Sequence, residues 1–184
     1  MATALITHAD CLEHVTQNGH PERVARLEHV LHALQELDLV RETAPEVDEA
    51  HLAYVHPQSH IDAIKAAIPL EGRHQIDADT WASPGSWRAA SRAAGAVVKA
   101  VDMVLDGEVG NAFCAIRPPG HHAEKTNAMG FCLFGNAAIG AMHALEAHGL
   151  SRVAVVDFDV HHGNGTQDLL WDEARALVIT SQQM

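Results

Sequence analysis

The chain has 184 residues, 47% of them hydrophobic, which suits one domain, residues 1–184, with a sizeable core. Twelve basic against twenty-four acidic residues leave a formal net charge of −12, which argues against a nucleic-acid-binding surface and suits either a cationic substrate or plain solubility. The three cysteines (Cys11, Cys114, Cys132) form no C-x-x-C, and neither a secretory leader nor a membrane-length apolar run is present, so a soluble, cytoplasmic protein is expected.

Residues 3–7 (TALIT) read as a first strand and the polar stretch 10–20 as a loop. His20-Pro-Glu-Arg23 opens a helix, with Pro21 suited to its first turn, and Val24, Leu27, Val30, Leu31, Leu34 and Leu37 continue it at helical spacing. Asp48 is the expected N-cap of a short helix through Val55, and Ser59 that of another through Ile68. Residues 69–80 are irregular, with at most a brief strand. Ser83-Pro84 pairs an N-cap with a proline at the first helical position. That helix runs to about Asp106 and buries Trp87, Ala90, Ala94, Val97, Val98, Val101 and Leu105. A strand over 111–116 (NAFCAI) and a Pro/Gly-bearing loop over 117–130 follow. Asn136 caps an Ala-rich helix to His148, and Gly149 stops it. The apolar run from Val153 to Phe158 reads as a strand buried on both faces. A short helix near 166–171 and a last buried strand over 176–180 (ALVIT) complete the chain.

Strand, helix, strand, helix, strand in the second half predicts an α/β fold, a parallel sheet flanked by helices with right-handed crossovers. Ligands bind such sheets at the carboxyl ends of the strands. Those ends deliver residues 117–122, 157–164 and 180–182 to one edge.

The stretch SRVAVVDFDVHHGNG (151–165) carries the strongest chemical signal. In an extended chain residues i and i+2 point the same way, so Asp159 and His161 form a carboxylate and imidazole pair suited to zinc or a similar divalent ion. In R-P-P-G-H-H-A, His121 or His122 could act as general base or acid. Asp157 and Asn164 are available as their orienting partners. Gly130 permits close approach, and Phe131 offers a flat apolar wall or a core aromatic.

R-P-P-G-H-H-A (117–123), G-F-C-x-F (130–134) and D-x-D-x-H-H-G-N-G-T-Q (157–167) together resemble the zinc-dependent histone deacetylase family. That grouping includes bacterial deacetylase-like amidohydrolases, acetylpolyamine amidohydrolases and acetoin-utilisation proteins. The resemblance extends over nearly the whole chain and implies an arginase/deacetylase-like three-layer fold. It also implies a Zn2+-dependent amidohydrolase that removes acetyl groups from acetylated lysine or acetylated amines and releases acetate. By this resemblance Asp159 and His161 are zinc ligands, and His121 and His122 are paired with Asp157 and Asn164 respectively. His122 would be the base, Gly130 and Phe131 would line the acyl-lysine tunnel, and Asp79 would hold the substrate backbone at the rim. Arg23 would lie near an acetate channel. A structural K+ would use Asp157, the backbone carbonyls of Asp159 and His161, the Thr180 hydroxyl and the Ser181 carbonyl. A manganese ureohydrolase shares the broad architecture, but the R-P-P-G-H-H and H-H-G-N-G runs favour deacetylation.

The chain departs from that pattern in a few places. Gly135 and Gln182 stand where the family commonly has asparagine and histidine. The third metal ligand, an aspartate, and the oxyanion-stabilising tyrosine would fall beyond position 184, and Tyr54 is the only tyrosine. The expectation is therefore a truncated domain, inactive alone, with a non-catalytic remnant as the alternative. Partners expected are an acetylated lysine peptide or acetylpolyamine, neither nucleic acid nor membrane, and a homo-oligomer is left open.

Overall fold

The computed structural model describes residues 2–183. Strand β1 (Thr3–Thr7) lies at the centre of a three-stranded parallel sheet, between β2 (Val40–Thr43) and β5 (Asn111–Cys114). Leu5 sits opposite Arg41 on one side and Phe113 on the other, and Ala4, Leu5 and Ile6 are buried. A second parallel pair joins β6 (Val153–Asp157) to β7 (Ala176–Thr180), with Asp157 opposite Thr180. Two-residue strands β3 (His74–Gln75) and β4 (Trp81–Ala82) make a short antiparallel ribbon.

The helices are α1 (Val24–Ala33), α2 (Glu49–Leu52), α3 (Gln58–Ala67), α4 (Ser86–Leu105), α5 (Asn136–Glu146) and α6 (Asn164–Leu170). The largest core gathers Leu52, Ile61, Leu133, Phe134 and Ile139 with the Ala90, Ala94 and Val98 face of α4. Phe134 is its aromatic centre, edge-on to Trp87 at 5.9 Å between ring centroids. No helix among the described residues is long and apolar enough to cross a membrane.

Several elements differ from the sequence reading, each for a local reason. Residues 20–23 are not helical: Arg23 is the extended N-cap of α1, and the preceding loop is held by the buried Glu22. Helix α1 stops at Ala33, leaving Leu37 exposed, and β2 follows where no strand was expected. Pro57 rather than Ser59 precedes α3, and Gly85 rather than Ser83 precedes α4. The Ser83 hydroxyl is engaged elsewhere, accepting from Val15 N–H and donating to the Glu13 carbonyl. Leu105 ends α4 exposed rather than buried. Gly135 is the N-cap of α5, which ends at Glu146, and α6 begins two residues earlier than expected. Asp48 caps α2 as its spacing predicts, its side chain accepting from Ala50 N–H at 2.9 Å.

The last two strands carry the largest correction. Val153, Val155 and Val178 pack against the core, but Val156, Phe158, Leu177 and Ile179 are exposed on the opposite face. Among the described residues nothing covers that face, so β6 and β7 alternate instead of being buried on both sides. The β2-β1-β5 sheet and the β6-β7 pair are also separate ladders. A cavity of about 690 Å³ lies between them, lined by Cys114 and Ile116 from one side and by Val155, Asp157 and His121 from the other.

Candidate active site

The loop after β5 is anchored before it reaches its histidines. The Arg117 side chain is fully buried, its Nε and Nη2 donating to Glu22 Oε1 and Oε2 at 2.6 and 2.7 Å. Nη1 and Nη2 also donate to the carbonyls of Cys11 and His14, at 3.0 and 2.9 Å. Burial pushes the Glu22 carboxyl up, but the Arg117 guanidinium outweighs it and holds the group below the usual carboxylate range. A bidentate pair of this kind fixes direction as well as distance, so the chain leaves β5 on a defined course.

His121 and His122 follow four and five residues on, their ring centroids 3.9 Å apart. His121 Nδ1 lies 2.9 Å from Asp157 Oδ2 at the end of β6. His122 Nδ1 lies 2.6 Å from Asn164 Oδ1 at the start of α6. The Asn164 amide is oriented independently, because its Nδ2 donates to Glu124 Oε1 at 2.9 Å. With Oδ1 thus turned to His122, Nδ1 of that ring is the donor and Nε2 is left as the acceptor. Gly163 makes the His121 pairing possible: a Cβ there would stand 2.3 Å from Asp157 Oδ2.

Asp159 and His161 lie just beyond β6, with Asp159 Oδ1 3.1 Å from His161 Nδ1 and accepting His161 N–H at 2.7 Å. Two ligands of one tetrahedral zinc stand about 3.3 Å apart when each bond is 2.0–2.1 Å, so this oxygen and nitrogen fit that ion. Partial burial raises the Asp159 carboxyl. The His161 amide and the imidazoles of His121 and His161 reverse that shift and keep it below the usual carboxylate range. Both side chains are exposed, 48% and 72%, where the end of a buried strand was expected. The His122 and His161 rings are 6.1 Å apart, which sets the acceptor Nε2 ring beside the ligand pair. Among the described residues no third histidine, cysteine or carboxylate completes a three-ligand cluster with Asp159 and His161.

The residues expected around K+ share one sheet edge. Thr180 is opposite Asp157, and Ser181 N–H donates to the Asp157 carbonyl at 3.0 Å. The Thr180 hydroxyl turns outward to Gln182 Oε1, 3.0 Å away, and Asp157 Oδ1 accepts Asp159 N–H.

Gly130 and Phe131 form a wall next to the histidines. Gly130 has φ +55°, and a Cβ on it would lie 2.4 Å from His122 Cδ2, so backbone lies directly on the imidazole. Phe131 also has a positive φ, +70°; its N–H donates to Thr80 Oγ1 at 3.0 Å. Its ring meets His20 edge-on at 4.7 Å. His20 Nδ1 accepts Glu22 N–H, so its Nε2 donates to the Asp79 carbonyl, 2.9 Å away. Thr80 Oγ1 donates to Asp79 Oδ1, leaving the exposed Asp79 carboxylate on the rim beside Phe131.

Arg23 is not brought to this site. It is exposed at the start of α1, whereas Arg26, one turn later, reaches Glu22 Oε1 and the Ile116 carbonyl, both at 3.2 Å. Sequence reasoning also passed over His20, Thr80, Glu124 and the Glu22–Arg117 pair as site-building groups. His20 and Glu22 stood in a run read as a helix start, while nothing in local spacing marks Thr80 or Glu124.

A sheet edge that carries paired imidazoles, each oriented by an amide or a carboxylate, beside an aspartate and histidine ligand pair defines the arginase/deacetylase class of α/β proteins. Comparison with known proteins narrows this class. The histone deacetylase domain family matches residues 20–183. The chain is 34% identical to a probable deacetylase of Archaeoglobus fulgidus over 188 residues, covering 100% of this chain and 52% of that protein. It is 41% identical to a histone deacetylase-like amidohydrolase of Pseudomonas aeruginosa over 141 residues, covering 77% of this chain and 37% of that one. A human polyamine deacetylase is 37% identical over 191 residues, covering 96% and 28% respectively. The crystal structure of the HDA15 HD domain superposes with a TM-score of 0.93 at 36% identity, over 98% of this chain and 53% of that one. The chain belongs to the histone deacetylase family, and it spans about half or less of the length of these relatives.

Proposed function

We propose that this chain supplies the histidine-bearing part of a zinc-dependent amidohydrolase that removes acetyl groups from acetylated lysine or acetylated amines. The observation that carries the reading is the pairing of His122 with Asn164 and of His121 with Asp157, next to Asp159 and His161. Asp159 and His161 would hold the zinc, which would supply Lewis acidity to the site and make water there easier to deprotonate.

The remaining work falls to the chain's own groups. His122, with Nδ1–H held by the Asn164 amide, presents Nε2 to take the proton of the attacking water and to return one to the leaving amine. Asn164 orients this ring without adding charge. Asp157 holds His121 through Nδ1, which aims the other ring nitrogen toward the developing oxyanion. Gly130 and Phe131 wall the acyl chain, and the exposed Asp79 carboxylate accepts from the substrate's backbone or amine. A K+ ion held at the Asp157, Thr180 and Ser181 edge, with the carbonyls of Asp159 and His161, would brace the ligand loop. An acetylated lysine peptide and an acetylated polyamine both fit this chemistry. The likeness to a human polyamine deacetylase supports the second.

One observation favours a narrower second reading, that these 184 residues alone are inactive. The ligand pair has no third protein donor among the described residues, and Tyr54 lies in the segment between α2 and α3, against His51. A catalytic zinc takes three protein ligands. The test is a fluorogenic acetyl-lysine assay with and without a hydroxamate chelator, run beside the Pseudomonas amidohydrolase. Chelator-sensitive turnover comparable to that enzyme overturns the narrower reading. For the broader one, the 184 residues replace the corresponding segment of a full-length relative, and absence of turnover by that hybrid with zinc bound overturns it.

A further inference from the structure

We propose a second divalent-metal site, formed by Asp102, His143 and His148 and distinct from Asp159 and His161. Helix α4 contributes Asp102 and α5 contributes His143, while His148 follows the end of α5. One oxygen, Asp102 Oδ1, is met by His143 Nε2 at 2.6 Å and by His148 Nε2 at 2.7 Å. A carboxylate oxygen and two imidazole nitrogens converging in this way make a three-ligand set for zinc or a similar ion, with a fourth position open to water.

The surrounding chain builds this convergence. Gly140 of α5 has no Cβ, and one there would stand 2.4 Å from Val97 Cγ1, so α4 and α5 pack closely just before His143. After α5 the chain turns at Gly149, φ +66°, and Leu150 N–H returns to the Ala144 carbonyl at 3.2 Å, which brings His148 back over Asp102. His143 is 5% exposed and its Nδ1 has no hydrogen-bond partner, so the buried ring, packed edge-on against His51 at 4.9 Å, makes its one hydrogen bond through Nε2, the atom aimed into the cluster. Asp102 and His148 are 42% and 21% exposed, which leaves the cluster open to an ion from solvent. An ion 2.0–2.1 Å from each donor spreads them to about 3.3 Å. The half-exposed Asp102 side chain can supply that opening by rotating back about 0.6 Å. The cluster is separate from the first site. Asn136, at the start of α5, donates to the Pro118 carbonyl on the histidine loop, and His143 lies seven residues further, about 10 Å along the helix.

The competing explanation is a hydrogen-bonded clamp that holds α4 to α5 without metal, and the experiment separates the two. In the 184-residue chain, Asp159→Ala and His161→Ala together silence the first ligand pair. Co2+ is then titrated, followed by its visible absorption, and Zn2+ by calorimetry. The expected result is one equivalent bound, with a rise in Tm on adding Zn2+. Adding His148→Ala, or separately Asp102→Asn, should weaken binding at least tenfold and abolish the rise. Asparagine keeps an oxygen acceptor for one imidazole, so the Asp102→Asn chain should stay folded by far-ultraviolet circular dichroism. No binding by the Asp159→Ala/His161→Ala chain, or binding unchanged by Asp102→Asn, would overturn the proposal.

Discussion

Replacing Arg117 by methionine tests whether the histidine loop is anchored from within. The side chain is fully buried, it forms a bidentate pair with Glu22, and it caps the carbonyls of Cys11 and His14. Methionine fills much of the same volume but leaves the buried Glu22 carboxylate facing only Arg26 at 3.2 Å and His14 at 3.8 Å. Removing one partner of a buried pair costs about 3–5 kcal/mol, because the other charge stays desolvated. Arg26 is 44% exposed and reaches Glu22 through one nitrogen, so it offsets little of this. Against a typical total of about 5–15 kcal/mol, the variant should lose roughly a fifth or more of its stability. Urea unfolding followed by circular dichroism reads this directly. With m of about 1–3 kcal/mol/M, the midpoint should fall by roughly 1–5 M. Changing Glu22 to leucine as well should recover part of the loss, because both charges then leave together. A midpoint shift below about 0.3 M at unchanged m would refute the account of Arg117 as the anchor.

The remaining predictions concern protons and metal. Burial lowers His14 and His56 from 6.5 to about 4, so both are neutral in the folded chain where the unfolded chain would protonate them. Their contribution is complete above pH 6.5 and is lost as pH falls toward 4, by about 3 kcal/mol for each. Urea midpoints across that window should fall steeply, and less so in His56→Gln; a flat profile would contradict both assignments. Asp159→Ala should lower bound zinc by one equivalent in elemental analysis, and unchanged stoichiometry would remove Asp159 from the ligand set. In a complete enzyme carrying this segment, His122→Ala should cost about 10²–10⁴ in rate with zinc retained. Loss of zinc in that variant would mean that a ligand had been mistaken for a base.

The parts of the fold that could be read in advance are those whose cause is local. Strands β1 and β7 fall on their apolar runs, and α2 begins after Asp48, because side-chain pattern and capping chemistry act within a few residues. Helix starts failed where a distant partner claimed the cap. Ser83 has the chemistry of an N-cap, yet its hydroxyl serves Glu13 and Val15, seventy and sixty-eight residues away in sequence. Pro21 suits a first helical turn, yet Glu22 beside it is held by Arg117, and α1 waits until Val24. The β6 run shows a different limit. An unbroken apolar run such as residues 153–156 is compatible with burial on one face or two, and only the packing of α5 on one side distinguishes them.

The same distinction runs through the site. Asp159 and His161 are two apart, and spacing marks them as a pair, but they meet in a bend beyond β6, where Asp159 Oδ1 accepts His161 N–H, rather than in an extended strand. The imidazole pairings span thirty-six and forty-two residues, and they were legible only because parallel strands deliver their carboxyl ends to one edge. That argument assigns an edge but no contacts on it. It therefore has no means of choosing Thr80 as the acceptor for Phe131 N–H, or Glu124 as the group that orients Asn164. Nor does it place Arg26 rather than Arg23 next to the Glu22–Arg117 pair, because that contact depends on how α1 sits against the loop after β5. Arg26, whose guanidinium reaches both Glu22 of the buried pair and the Ile116 carbonyl at the start of the histidine loop, comes to light only once α1 is packed against that loop.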